Sequence, residues 1–89
     1  MLNVNFTKQA RKFLASLPIK QAKQLAVKIQ ELRINPQPQD CKKLKGVSCL
    51  RVSAGEYRII YAYKDETLEI FIIDKRNDDS AYKKIKRLL

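Results

Sequence analysis

Histidine is absent from this chain, which excludes acid–base work by imidazole and any metal centre built on it. Cysteine is almost absent. Cys41 and Cys49 stand alone, too few to complete a zinc site, and nothing marks the chain for export, so both are expected reduced. Met1-Leu2-Asn3-Val4-Asn5-Phe6-Thr7-Lys8 has no apolar signal core, and no run approaches the length of a membrane span. The expected setting is the cytoplasm, away from membranes, with no metal and no cofactor. Acidic residues are also scarce: 9 against 19 basic, for a net charge of +10. That excess points to an anionic partner, with nucleic acid favoured over an acidic protein or a membrane surface, and a solubilising surface as the plainer reading. What remains for chemistry is arginine, lysine, tyrosine and carboxylates.

The 89 residues make one small domain, 1–89, and an apolar content of 45% is that of a globular protein. Leu2, Val4 and Phe6 alternate with Asn3 and Asn5, the period of a short half-buried strand. Thr7 can cap a helix whose apolar stripe is Ala10, Phe13, Leu14 and Leu17. Pro18 ends that helix and suits the first turn of a second, with a stripe of Ala22, Leu25, Ala26, Ile29 and Leu32 and with Lys20, Lys23 and Lys28 facing elsewhere. Asn35-Pro36 stops it, and the pair reads as an αα-hairpin.

Pro36 to Asp40 is a linker within the domain and Lys42-Lys43-Leu44-Lys45-Gly46 a basic turn. The period then changes. Leu50 and Val52 alternate with Arg51 and Ser53, Ala54-Gly55-Glu56 turns, Tyr57 to Tyr63 forms a strand, and Asp65-Glu66-Thr67 turns again. Leu68 to Ile73 is apolar on both faces, pairing Ile70 with Ile72 and Phe71 with Ile73, as in a central strand. From Ser80 a helical pattern returns through Ala81, Ile85, Leu88 and Leu89. The predicted fold class is α+β: a single domain in the order β-α-α-β-β-β-α, an antiparallel sheet carrying the N-terminal α-hairpin and a C-terminal helix.

Strand alternation puts Arg51 and Ser53 on the face away from the helices if Leu50 and Val52 point toward them. Arg58 on the next strand can share that open face, and Lys75-Arg76 lies where the following strand ends. Three guanidinium groups on one concave face would form a phosphate site, each able to donate paired hydrogen bonds. Tyr82, near the start of the last helix, is placed to stack on an exposed base or to pack against the sheet. Tyr57, Tyr61, Tyr63 and Phe71 read as strand or core residues. The candidate catalytic residues are Arg51, Arg58, Arg76 and Tyr82, and Lys43, Lys45, Lys75, Lys83 and Lys84 are candidate contacts to RNA.

Three features together, Lys43-Leu44-Lys45-Gly46, Gly55-x-Tyr57-Arg58-Ile59-Ile60-Tyr61 and the spacing from Arg76 to Tyr82, resemble the RelE family of bacterial and archaeal toxins. The Tyr-Arg-Ile-Ile-Tyr core is shared across the wider RelE/ParE superfamily. The resemblance implies a ribosome-dependent endoribonuclease that cuts mRNA in the A site, with the 2′-hydroxyl attacking the adjacent phosphorus. It implies a cognate antitoxin, small, acidic and partly disordered, as partner, with operator DNA bound only through it. By the same resemblance Arg58 holds the scissile phosphate, Arg76 stabilises charge developing on the phosphoryl group, and Tyr82 orients the nucleotide. Arg51 falls where the family carries a lysine. Ser53 stands where a second lysine helps accept the proton from the 2′-hydroxyl, and Lys43, Lys45, Lys75, Asp78 or Asp79 are the candidates to replace it. A ParE-like inhibitor of DNA gyrase is the main rival reading. A third is a catalytically weakened toxin kept for binding its antitoxin and operator.

Overall fold

The computed structural model describes residues 1–75 together with Lys83, Ile85 and Arg87. The elements are β1 (Asn3–Phe6), α1 (Lys8–Ser16), α2 (Ile19–Ile34), β2 (Lys42–Lys43), β3 (Leu50–Ala54), β4 (Tyr57–Lys64) and β5 (Thr67–Lys75). Lys83, Ile85 and Arg87 are helical, and Ile85 is fully buried.

Thr7 caps α1 as its residue type dictates: its Oγ1 accepts from the Ala10 amide. The helix ends where Leu17 turns extended ahead of Pro18, because the proline ring crowds a helical residue before it. Pro18 then sits at the N-cap of α2, and its carbonyl accepts from the Ala22 amide. Leu25, Ile29 and Leu32 of the expected stripe are buried, while Ala22 is half-buried and Ala26 exposed. Truncating a fully buried leucine such as Leu32 to alanine costs about 2–5 kcal/mol.

The sheet has five strands in the order β1-β5-β4-β3-β2. The three-strand meander β3-β4-β5 is antiparallel, as the short turns require. Gly55 takes φ +61° in the two-residue turn between β3 and β4, a conformation that costs glycine little. Two features depart from the pattern expected of the sequence. β1 lies parallel to β5, covering an edge the meander leaves open. Lys42-Lys43, expected as part of a turn, pairs with Arg51 and Leu50 as an edge strand.

One core lies between the sheet and the helix pair. It includes Ala10, Leu25, Leu32, Val52, Ile59, Tyr61, Leu68, Ile70 and Ile73. A smaller one on the opposite face joins Cys49, Ile60, Ile72 and Ile85. The β4–β5 register passes from Ile60↔Ile72 to Tyr61↔Ile70 and skips Phe71, a bulge. Ile70 and Ile73 therefore face the helices and Phe71 and Ile72 the other side, which replaces the simple alternation expected for this strand. The Thr7 hydroxyl donates to the freed Phe71 carbonyl. Further along, the Gln9 side-chain amide exchanges two hydrogen bonds with the Ile73 backbone, at 3.0 and 3.2 Å. Side chains thus extend the pairing of β5 past the end of β1.

Candidate phosphate-binding site

β3 presents its two faces as its alternation predicts. Leu50, Val52 and Ala54 are buried in the main core, and Arg51 and Ser53 point the other way. Arg58 is the direct cross-strand partner of Ser53, and Lys42 of Arg51. Since opposed residues share a face, the four side chains form one group. With Asp40 and Val52 they line a cleft of about 210 Å³. On β5, Asp74 stands opposite Arg58 and is buried. The Phe71 bulge is what brings this carboxylate to the Arg58 side, since unbroken alternation from Ile70 would point it at the helices.

The electrostatics of the cleft are lopsided. Asp40 accepts from the Lys28 ammonium at 2.9 Å, and that hydrogen bond holds its carboxyl below the ordinary carboxylate range. Lys28, read from the sequence as facing elsewhere, is thus folded back over the linker. Lys42, Arg51 and Arg58 make no ion pair among the described residues. The Nε of Arg58 is buried with no hydrogen-bond partner among the described residues, a desolvated donor. An unpartnered buried donor costs free energy, and a phosphate oxygen would satisfy it with a charge-assisted bond.

Of the residues singled out from the sequence, Arg51 and Arg58 come together here. Lys43 lies on the other side of β2 and lines a separate cleft of about 520 Å³ with Leu44, Val47, Cys49 and Tyr63 among others. Lys75 pairs with Tyr57, whose ring packs edge-on against Phe13 at 5.8 Å, so its register places it on the helix side. Lys45 and Lys83 are exposed. Arg76, Tyr82, Lys84, Asp78 and Asp79 lie outside the described residues. The sequence reading missed Lys42 and Asp40. Its signal was the alternation across Lys42-Lys43, hidden because a two-residue strand has no period of its own. Tyr61 is buried, its hydroxyl donating to the Pro36 carbonyl at 2.7 Å, and burial above all pushes its phenol well above the ordinary tyrosine value. It pins the linker that carries Asp40. Cys41 packs on the main core and Cys49 belongs to the smaller one, and both thiols are free.

Two helices on one face of a five-stranded mixed sheet, with cations gathered on the other, define a small toxin-like fold. The chain matches the model of the ParE toxin of type II toxin–antitoxin systems, parDE, over residues 4–80. It therefore belongs to the ParE toxin family, within the RelE/ParE superfamily of type II toxins. Among solved structures it is similar to a chain of the archaeal RelE–RelB complex from Pyrococcus horikoshii OT3, at 30% identity and a TM-score of 0.73, covering 85% of this chain and 96% of that one. A chain of the RelBE2 toxin–antitoxin complex from Mycobacterium tuberculosis matches at 28% identity and a TM-score of 0.66, covering 84% and 98%. The isolated E. coli RelE toxin shares the fold over the whole of both chains, with a TM-score of 0.74 at 24% identity. No curated protein sequence matches the chain. Among the described residues no helix is long and apolar enough to cross a membrane.

Proposed function

We propose that this toxin is an endoribonuclease that cleaves mRNA on the ribosome and is neutralised by a cognate antitoxin. The observation that carries the reading is the buried, unpartnered Nε of Arg58 in a cleft shared with Arg51. In the reaction the RNA 2′-oxygen bonds to the adjacent phosphorus and the bond from phosphorus to the 5′-oxygen breaks. A 2′,3′-cyclic phosphate and a 5′-hydroxyl result, and the proton lost from the 2′-hydroxyl is balanced by the one the 5′-oxygen gains. Arg51 and Arg58 supply fixed positive charge to the crowded phosphorane. Neither can take the proton, because a guanidinium stays protonated, and a serine hydroxyl at position 53 is no base alone. A site with such weak proton-transfer groups depends on a substrate delivered in line, which the decoding centre can provide. Arg76 and Tyr82 keep the roles their spacing suggests, as a further phosphate contact and a stacking ring. The antitoxin reading is supported by the RelE–RelB and RelBE2 complexes and by the net charge of +10, which suits an acidic partner.

The match to the ParE model favours a second reading, inhibition of DNA gyrase without RNA cleavage. Induction of the toxin followed by primer extension on cellular mRNA separates the two. Discrete cuts within codons, lost in Arg58→Ala, support the nuclease. Intact mRNA with gyrase-linked DNA breaks would overturn it.

A further inference from the structure

Lys42 and Arg51 are directly opposed across β2 and β3, and like charges in that position repel. Arg58 adds a third cation to the same cleft. The cleft's own carboxylate, Asp40, is engaged by Lys28 at 2.9 Å, and none of the three cations has an ion-pair partner among the described residues. β2 consists of two exposed residues, so burial gives no reason for it to pair with β3. What the pairing accomplishes is to hold an ammonium against two guanidinium groups. An anion turns this repulsive arrangement into a favourable one.

We infer that Lys42 is a substrate-binding residue, its ammonium contacting a phosphate of single-stranded RNA alongside Arg51 and Arg58. The inference rests on the ribonuclease reading. The division of labour follows from the side chains: the flat guanidinium forks fix oxygen positions, and the ammonium on its flexible stem is a point charge that can follow the backbone. Lys42 also lies on the outermost strand, where a strand of RNA can reach it without crossing the sheet. An edge lysine has a plainer duty, to discourage edge-to-edge association. The sign of the charge separates the two roles. Lys42→Glu keeps a charge on the edge and repels phosphate.

The test is fluorescence anisotropy of a labelled single-stranded oligoribonucleotide on the full-length protein across a series of KCl concentrations, with sedimentation to report association. Lys42→Ala is expected to bind about tenfold more weakly or worse, and its log affinity should fall less steeply with log salt, by about 0.7. Lys42→Arg should stay near wild type. Lys42→Glu should bind more weakly than Lys42→Ala while remaining monomeric, and Lys23→Ala, exposed on α2, should keep the wild-type salt slope. Wild-type binding by Lys42→Glu would overturn the inference, as would a Lys42→Ala loss that leaves the salt slope unchanged. Arg58→Ala guards the underlying reading. If it too binds as wild type, the RNA site itself is wrong and the role of Lys42 falls with it. If it binds weakly while Lys42→Ala and Lys42→Glu do not, only the Lys42 role falls.

Discussion

Ser53 and Arg58 stand directly opposite each other across β3 and β4, so a hydroxyl that cannot act alone as a base shares a cleft with a guanidinium whose Nε is buried and unpartnered. The structure therefore carries an energetic cost at the position expected to contact substrate, the usual sign of a site shaped for binding more than for stability.

Substitution of Arg58 by an apolar side chain separates these two demands. Arg58→Leu should lower mRNA cleavage by about a hundred- to thousandfold, the loss typical of one transition-state donor. Its urea midpoint should nevertheless change little, because relief of the unpartnered buried donor, about 1–3 kcal/mol, offsets the loss of a guanidinium facing the buried Asp74 carboxylate. A clear drop in the urea midpoint would show that the guanidinium holds the sheet together instead.

Lys28 is predicted to protect the cleft indirectly. Lys28→Ala frees the Asp40 carboxylate to turn toward Lys42 and Arg51, and RNA affinity should weaken about two- to fivefold at low salt through that opposite charge. The pair's own stability contribution is small, about 0.2–1 kcal/mol, since Asp40 is more than half exposed. Because the folded carboxyl is held low by Lys28, that contribution is present above the unfolded value of about 3.9. It is lost as pH falls through the folded value. Denaturant titrations of both proteins between neutral pH and pH 3 check this: their difference should shrink toward the acid end.

Thr7 joins a helix start to a sheet irregularity, accepting from the Ala10 amide and donating to the Phe71 carbonyl. Thr7→Ala should cost about 2 kcal/mol, one for the cap and one for the second hydrogen bond. Thr7→Ser should recover most of it. Urea unfolding gives the magnitude, and faster hydrogen exchange at the Ala10 amide would localise the loss.

Tyr61→Phe removes the hydroxyl that donates to Pro36 and should cost about 0.5–1.5 kcal/mol at neutral pH. Burial raises the folded phenol above its unfolded value, so the neutral form's stability is complete below about pH 10. It declines as pH rises from there toward the folded value. Part of the wild-type alkaline loss should therefore be missing in Tyr61→Phe, as thermal melts between pH 8 and 11 would show.

The local chemistry of the chain was sufficient for much of this. The stripes Ala10-Phe13-Leu14 and Leu25-Ile29-Leu32, the Thr7 cap and the Gly55 turn act within a few residues of themselves, so their helices and hairpin could be read directly. The alternation of Leu50, Arg51, Val52 and Ser53 likewise sent Arg51 and Ser53 to the open face. Such features depend on backbone propensity and on a two- or 3.6-residue period, which tertiary contacts reinforce here without changing.

The partners across the sheet were a different matter, because they depend on which distant strands meet and in what register. Only the packed structure set β1 parallel to β5, let the pairing skip Phe71 so that Asp74 faces Arg58, and aligned Lys42 with Arg51. Each of these depends on strand pairing and apolar burial summed over the whole domain at once. No local window contains that sum, and so the third cation of the cleft and the occupied carboxylate beside it emerged from the fold alone.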